Sequence, residues 1–167
     1  IKEAKNLSSM YTLADILNDK CETLDIRGVA HKGFFASITD FPSYYAANMA
    51  LLNYKSAQEL FHDNWPIYTR TNDSCPTQYF NTADVKNSVI SNGCQIEGTV
   101  ENSVIGRGCV IKKGAVVRNS VVLAEVTVGE GVHVENEVVD KWANLIHKKE
   151  IVSPAEQPGY IRRNDTL

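Results

Sequence analysis

The second half of the sequence repeats nearly the same four residues four times. "NSVI" stands at 87–90 and again at 102–105, and it returns as "NSVV" at 119–122 and "NEVV" at 136–139. The copies are therefore 15, 17 and 17 residues apart. A repeat of this length is typical of units that stack on one another, because a single unit cannot bury its own apolar face.

A finer period lies inside each unit. An aliphatic residue is followed four positions later by a small or aliphatic one, and the first members of these pairs advance mostly by five or six residues. Three such steps span one unit, which predicts a parallel β-helix with three short strands per turn and about 4.8 Å between turns. An antiparallel sandwich is the alternative, but its hairpins would show strict alternation.

The period also predicts which side chains point inward and where the corners lie. We expect two interior ladders, Val89–Val104–Val121–Val138 and Cys94–Cys109–Val126–Ala143. Gly and Asn tolerate positive φ, so we expect corners at Asn92, Gly93, Gly108, Gly114, Gly129 and Gly131. The period fails at Leu145, and 141–167 is predicted to be a final irregular coil with a cap.

The first half of the chain shows mixed patterns. Apolar spacing predicts helices over 4–20, 40–53 and 55–62, and the second of these has Asp40 or Ser43 as a capping residue beside Pro42. Short strands are predicted over 24–30 and 33–38, with a further strand-like stretch at 65–69. The turn-forming residues of 70–80 indicate a linker.

Composition argues against several classes of protein. Lys and Arg number 17 against 20 Asp and Glu, for a net charge of −3, whereas a nucleic-acid-binding protein normally has a basic excess. No apolar run approaches the ~18 residues of a membrane span, and the start has no signal-peptide core. The four cysteines lack zinc-ligand spacing, which favours reduced thiols in the cytoplasm. The chain lacks an initiator Met, which indicates that it begins partway through a longer protein.

The stretch "WPIYTRTNDSCPTQYF" (65–80), followed by the repeats, resembles the C-terminal part of ADP-glucose pyrophosphorylases, also called glucose-1-phosphate adenylyltransferases. "YYAANMALL" (44–52) and "YIRRNDTL" (160–167) extend the resemblance over essentially the whole chain. It implies a mainly β fold, a left-handed parallel β-helix of hexapeptide repeats preceded by an α/β remnant of a nucleotidyltransferase domain. Residues 1–62 would be the tail of that domain, 63–81 a linker, and 82–167 the β-helix with its C-terminal cap.

Two departures from the family pattern concern catalysis. The family's Gly-rich nucleotide-binding loop has no counterpart here, and "GFFASITD" (33–40) places Ser37 where the family has an Asp that helps to hold Mg²⁺ and the sugar phosphate. A hydroxyl is a poor Mg²⁺ ligand compared with a carboxylate. Asp40 lies three residues further on, where a helix cap is the simpler role. We therefore expect no catalytic residue, metal site or cofactor in this chain.

The chain is most similar to the glycogen-biosynthesis partner subunit of Gram-positive bacteria, a degenerate homologue that pairs with the active pyrophosphorylase. The resemblance implies a regulatory and structural role, with contacts to the catalytic subunit, or to itself, through the β-helix. Two alternatives remain open. The full-length protein would be an active adenylyltransferase, or the chain would be a hexapeptide acyltransferase in which His133 acts as a general base.

Some family members bind anionic effectors, such as sugar phosphates or phosphate, beside the β-helix. Arg162 and Arg163 are the candidate residues for such a site, because guanidinium groups suit bidentate contacts with phosphate. The alternative is ordinary surface charge, balanced by neighbouring carboxylates.

Overall fold

The computed structural model describes residues 12–61, 64, 66–69 and 71–167. The chain divides into two compact units, Ile1–Lys32 and Gly33–Leu167. The first contains helix α1 (Leu13–Lys20), which begins where the Thr12 side chain accepts a hydrogen bond from the Asp15 amide. This helix lies within the predicted one, whose first part, before residue 12, falls outside the described residues.

The second unit contains the repeats, and its described strands are short and all parallel. They are β1 (Gln78–Tyr79), β2 (Asp84–Lys86), β3 (Val89–Ile90), β4 (Gln95–Ile96), β5 (Thr99–Glu101), β6 (Val104–Ile105), β7 (Val110–Ile111), β8 (Val116–Arg118), β9 (Val121–Val122), β10 (Thr127–Val128), β11 (His133–Glu135), β12 (Glu137–Val139), β13 (Asn144–Leu145), β14 (Glu150–Val152) and β15 (Gly159–Ile161).

Each strand pairs with the strand three places further along the chain. The first sheet is β1-β4-β7-β10-β13, the second is β2-β5-β8-β11-β14, and the third is β3-β6-β9-β12-β15. Successive turns therefore contribute one strand to each of three sheets, which is a parallel β-helix. The predicted fold class is confirmed, and the antiparallel alternative is wrong. The left-handed winding implied by the resemblance stays a prediction.

The core runs along the axis of the β-helix. Its large members come from all three sheets, and they are buried: Ile96, Val100, Ile105, Ile111, Val117, Val122, Val128, Val134, Val139 and Leu145. Smaller residues stand two positions before many of them, and the predicted interior ladder Cys94–Cys109–Val126–Ala143 is confirmed. The thiols are free, and each donates to a backbone carbonyl 3.0 Å away, Cys94 to Gly106 and Cys109 to Leu123. Burial of large residues beside small ones fills a narrow interior at the usual packing density.

The prediction that the side chains of the other ladder point into the interior is wrong. Val89, Val104, Val121 and Val138 do stack in register, but Val89 is 47% exposed, while the following residues Ile105, Val122 and Val139 belong to the core. Adjacent side chains in a strand point to opposite faces, so the first Val of the motif lies on the outer face. The small interior position is taken instead by the motif Ser, since Ser103 and Ser120 are fully buried.

The Asn of each motif makes the corner that produces this arrangement. Asn87, Asn102, Asn119 and Asn136 have φ of 42°, 47°, 44° and 57°, a region where Asn is better tolerated than most residues. Gly93, Gly108, Gly114 and Gly131 also have positive φ, as predicted, whereas Asn92 and Gly129 do not. At Gly129 the close packing of the next turn, and not the backbone conformation, favours glycine, because an added Cβ would lie 2.9 Å from the carbonyl oxygen of Leu145.

The last coil is regular, contrary to the prediction. Strands β13, β14 and β15 extend all three sheets, and Leu145, Ile151 and Ile161 are buried. The chain then folds back as a cap on the first sheet, where the Asn144 amide donates to the Asp165 carbonyl at 2.7 Å and the Leu167 amide donates to the Asn144 carbonyl at 2.9 Å. This cap satisfies backbone groups that an open edge would leave exposed.

Two helices precede the repeats in the second unit. Helices α2 (Phe41–Ala50) and α3 (Tyr54–Leu60) lie close to the predicted ranges, although residue 62 is outside the described residues. Helix α2 packs on the outer face of the third sheet, against β9. There the Tyr45 hydroxyl donates to the Asn119 carbonyl at 2.6 Å, and Val121 and Val138 are buried. The helix therefore covers the outward Val column at β9.

The strands predicted at 24–30, 33–38 and 66–69 are absent from the described residues, and residue 65 lies outside them. Their apolar side chains are exposed instead, including Val29 and Phe35. A strand needs a hydrogen-bonded neighbour, and none of the described strands pairs with these segments. Local β propensity alone therefore misled the prediction.

Candidate functional site

Ser37 lies in an exposed, irregular segment just before α2. Asp40, the residue that could replace a missing carboxylate there, caps the helix. Its Oδ1 atom accepts from the Ser43 amide at 2.8 Å, and its own amide donates to the Ser43 hydroxyl at 3.0 Å. The hydrogen bonds from Ser43 lower the pKa of Asp40. The carboxylate thus has the structural role that the sequence indicated.

No group of three or more potential metal-binding His, Cys, Asp or Glu residues occurs within the described part of the chain.

Arg162 and Arg163 follow β15 in an exposed turn, which the Asp165 amide closes by donating to the Arg162 carbonyl at 3.2 Å. The Arg163 guanidinium lies over the Trp142 ring, 4.1 Å from its centroid. A cation above an aromatic face is held by the ring quadrupole. The two arginines are therefore not equivalent, since Arg163 is already placed against a ring.

Asp140 and Tyr160 lie beside this pair. The Tyr160 hydroxyl donates to the Asp140 carboxylate at 2.8 Å, and the Lys141 amide donates to the same carboxylate at 2.7 Å. The Lys141 amide, Tyr160 and the positive charge of Arg163 lower the pKa of Asp140. The Tyr160 ring also contacts Phe41 of α2 edge-on, with 5.9 Å between centroids. The structure thus joins the predicted arginines to residues that the sequence analysis did not single out.

Trp142 is the residue that sequence reasoning missed, although a signal was present. Its corner stacks on the corners of Gly93, Gly108 and Glu125, and all four have positive φ. A bulky residue in this conformation costs about 1–2 kcal/mol relative to Gly. Two coils have Gly at this corner, whereas Glu125, Trp142 and, in the following cap, Asn164 also take positive φ there. Trp is the bulkiest of these residues, so its presence indicates a requirement that outweighs local stability.

His133 lies on the outer face of the second sheet, as predicted. Its Nε2 atom is 3.1 Å from Glu135 Oε2, and both side chains are partly exposed. In register it stands between Val116 and Glu150 of the adjacent turns. The imidazole thus contacts a carboxylate of its own strand.

Comparison with known proteins relates the chain to a particular group. A family model described as GlmU-like, C-terminal hexapeptide, matches residues 76–157. The glucose-1-phosphate adenylyltransferase of Fervidobacterium nodosum is 33% identical over 140 residues, which is 83% of this chain and 34% of the relative. The glycogen biosynthesis protein GlgD of Bacillus subtilis is 31% identical over 152 residues, or 91% of this chain and 44% of the relative. GlgD of Geobacillus stearothermophilus is 37% identical over 107 residues, or 64% of this chain and 31% of the relative.

This chain is a homologue of the glucose-1-phosphate adenylyltransferase and GlgD proteins. The predicted resemblance is confirmed. The homologue spans less than half the length of the curated relatives that it matches. None of its described helices is long and apolar enough to cross a membrane.

One further side chain of this adenylyltransferase and GlgD homologue, that of Glu137, is a carboxylate buried in the β-helix. The fourth copy of the motif has Glu137 in the position of the buried Ser103 and Ser120, and this side chain is 4% exposed. Its amide donates to the Ser120 hydroxyl at 3.1 Å, which continues the ladder formed by the motif serines. Ser153 donates to Glu137 Oε1 at 2.6 Å, and only Gly at 159 leaves room for the carboxylate, since an added Cβ would lie 2.1 Å from Oε2.

Burial raises the pKa of Glu137, and the Ser153 hydrogen bond and the charge of Lys148 offset this only in part. The folded-state pKa thus lies above the ordinary value of 4.5, so the folded state binds the proton more tightly than the unfolded state. The resulting stabilisation is fully present below 4.5 and is lost as pH rises through the folded pKa. We expect Glu137→Gln to remove this dependence, so that its stability relative to wild type increases with pH. Urea unfolding of both proteins from about pH 4 to pH 8 measures the effect, and parallel stability profiles would contradict it.

Proposed function

We propose that this chain is part of a GlgD-like regulatory and structural subunit of an ADP-glucose pyrophosphorylase, acting in glycogen synthesis in the cytoplasm. In this proposal, residues 1–62 are the tail of a nucleotidyltransferase-like domain, 63–81 are a linker, and 82–167 are the β-helix that contacts the catalytic subunit. Homology to two GlgD proteins supports the assignment to this group.

The observation that carries the regulatory role is Ser37. By resemblance it stands where active members have a metal-binding Asp, and the nearby Asp40 carboxylate is occupied as the cap of α2. Phosphoryl-transfer sites depend on electrostatic stabilisation by Mg²⁺ and its ligands, so the loss of a ligand carboxylate should strongly reduce turnover. A stable β-helix next to an inactive site can still hold a partner subunit in a defined position.

The test is an assay of ADP-glucose formation from ATP and glucose 1-phosphate with Mg²⁺. The full-length protein that contains this chain is measured alone, beside a catalytic adenylyltransferase subunit alone, and in an equimolar mixture. We expect little turnover by the protein alone and a change in the kcat or KM of the catalytic subunit in the mixture. Full activity of the protein alone, unchanged in the mixture, would overturn the regulatory role.

Full activity of the protein alone would support the second candidate, an active glucose-1-phosphate adenylyltransferase. The similarity to the Fervidobacterium nodosum protein of that name, over 83% of this chain, favours it. The change in turnover caused by Ser37→Asp separates the two. If the loss of the carboxylate inactivates the site, the substitution should raise the low turnover of the full-length protein, whereas in an active enzyme the wild-type protein already turns over fully and the substitution gives no gain.

We also propose that Arg162 and Arg163 bind an anionic effector, such as phosphate or a sugar phosphate. Support comes from their exposed turn and from Trp142, which holds the Arg163 guanidinium in place. The Asp140 carboxylate accepts hydrogen bonds from Tyr160 and from the Lys141 amide, so its negative charge is already partly compensated.

Arg162→Ala is expected to weaken the binding of inorganic phosphate by about 10- to 150-fold, because a charge-assisted hydrogen bond of about 1.5–3 kcal/mol is lost. Isothermal titration of the chain with phosphate, and separately with glucose 1-phosphate, measures the change. Arg27→Ala is the matched control, since it removes the same charge from the separate first unit. Equal effects of the two substitutions would show only a general loss of positive charge.

A further inference from the structure

Tyr160 is the last member of the outward column of the third sheet. It lies in β15, in register with Val138 of β12, and therefore continues the series of outward valines on the last turn. Helix α2 packs on the same sheet, against β9. Where α2 begins, the ring of Phe41 meets the ring of Tyr160 edge-on, with 5.9 Å between the centroids and 74° between the planes. The first residue of α2 thus contacts the last turn of the β-helix.

The hydroxyl of Tyr160 connects this contact to the arginine turn, which contains Arg162 and Arg163. It donates to the Asp140 carboxylate at 2.8 Å, and the Lys141 amide donates to the same carboxylate at 2.7 Å. These two hydrogen bonds, with the amide contributing more, and the nearby positive charge of Arg163 lower the pKa of Asp140. A tyrosine hydroxyl and a guanidinium therefore stabilise one and the same carboxylate.

We propose that Tyr160 transmits the binding of an anion at the arginine turn to the start of α2. An anion that pairs with Arg163 neutralises the guanidinium, so the Asp140 carboxylate loses part of the positive charge that stabilises it. The Tyr160 hydroxyl remains as a donor to this carboxylate, and the hydrogen bond between the two groups strengthens. The ring of Tyr160 is thereby held more firmly against Phe41.

The start of α2 is an element that this contact can order. Its first turn is closed by hydrogen bonds to the exposed cap residue, since the Ser43 amide donates to Asp40 Oδ1 at 2.8 Å and the Tyr44 amide donates to the Asp40 carbonyl at 3.1 Å. Helix ends open more readily than packed helix interiors. A more firmly held Phe41 makes the first turn open less often, and it also restricts the segment around Ser37, three residues before the cap.

The middle of α2 is attached to the β-helix separately. The Tyr45 hydroxyl donates to the carbonyl of Asn119, the corner residue before β9, at 2.6 Å. The helix can therefore stay docked while its first turn opens and closes. Coupling between two sites requires an element with alternative states that both sites influence, and the first turn of α2 is that element.

This inference rests on the anion site and the regulatory role proposed above. It adds the route by which a ligand at the end of the β-helix affects residues 33–62 of the nucleotidyltransferase-like tail. Calorimetry tests whether phosphate binds, whereas hydrogen exchange tests whether binding changes α2. The anion site and the route can therefore fail separately.

The experiment follows amide hydrogen exchange of the whole chain by NMR, with saturating inorganic phosphate and with sodium chloride at equal ionic strength. We expect phosphate to slow exchange at Ser43 and Tyr44 at least about fivefold, which is the low end of typical coupling between sites. Tyr160→Phe keeps a ring against Phe41 but removes the hydroxyl that donates to Asp140. This variant should still bind phosphate, and the effect of phosphate on α2 should be lost.

Two matched variants remove a tyrosine hydroxyl elsewhere. Tyr54→Phe removes one that accepts from Gln58 within α3 at 3.1 Å, and the effect of phosphate should stay as in wild type. Tyr45→Phe removes the hydrogen bond to Asn119, so exchange in α2 should become faster without phosphate but should still be slowed by it to the same degree. If Tyr160 only packs against α2, Tyr160→Phe will behave like Tyr45→Phe.

Phosphate that binds without slowing exchange at Ser43 and Tyr44 would overturn this inference alone. A phosphate effect that persists in Tyr160→Phe, or one that is also lost in Tyr54→Phe, would do the same. A Tyr160→Phe variant that no longer binds phosphate would make Tyr160 part of the binding site, against the proposed route. Absence of phosphate binding to the wild-type chain would overturn the anion site and this inference with it.

Discussion

Replacement of Ile105 by Ala should lower the free energy of unfolding by about 2–5 kcal/mol. Ile105 is fully buried in the third sheet, where its neighbours in register are Ile90 and Val122. The truncated side chain would leave a cavity between turns, and the hydrogen-bonded strands on either side can collapse into it only in part. Urea unfolding followed by circular dichroism measures the loss.

Val104→Ala is the matched control, because it changes the adjacent residue of the same two-residue strand. Val104 lies on the outer face and is only half-buried, so its truncation should cost less than about 1 kcal/mol. Equal losses at the two positions would contradict the assignment of inner and outer faces. A larger loss at Val104 than at Ile105 would instead favour the predicted interior ladder that includes Val89 and Val104.

Gly98→Ala should be similarly damaging, at about 3 kcal/mol, for a different physical reason. An added Cβ would lie 2.4 Å from the Ala115 carbonyl oxygen and 2.8 Å from that of Lys112. Both are backbone atoms of the next turn, and the Ala115 carbonyl accepts the Thr99 amide at 2.8 Å. Relief of the clash would therefore break hydrogen bonds between turns. Thermal and urea unfolding of the variant measure the effect.

Gly131→Ala measures the stability cost of a positive φ without a steric clash. Nothing lies within 4 Å of an added Cβ there, but the residue has φ of 64°. The expected cost is the intrinsic strain of this region, about 1–2 kcal/mol. A cost at Gly131 that equals or exceeds the cost at Gly98 would show that close packing between the turns is not the dominant constraint.

Much of the β-helix was predictable because its signal is periodic. Each turn repeats the same environment, so the sequence repeats the same choice of large aliphatic residues, and Ile96, Val117 and Val134 lie in the core as the period requires. Helix α2 was also predictable, since Asp40 and Pro42 mark its start by local hydrogen bonding and fixed φ. The segments at 24–30 and 33–38 were not, because whether an apolar stretch forms a strand depends on a neighbour to pair with.

The candidate site was predictable only in part. Arg162 and Arg163 were identified by resemblance, and Ser37 by its departure from the family pattern. Trp142 was missed because its role depends on the stacking of corners from successive turns, which places it where two earlier turns have Gly. In the sequence, Glu137 is simply part of the fourth copy of the repeat, but in the structure it replaces a buried Ser and lies beneath Gly159, 22 positions further along the chain.

By itself the sequence determined the stacking of three-strand turns, because only a repeating structure places equivalent residues in equivalent surroundings every 15 to 17 positions. Only the tertiary structure decided the direction of each side chain in "NSVI". Asn takes positive φ at the corner, Ser turns inward, the first Val turns outward, and the next aliphatic residue enters the core. The physical reason is that the strand has only two residues. The φ of the corner residue therefore fixes which of their side chains points inward and which points outward. The outer Val is buried at Val121, where α2 packs on β9, and it is 47% exposed at Val89 in the first turn.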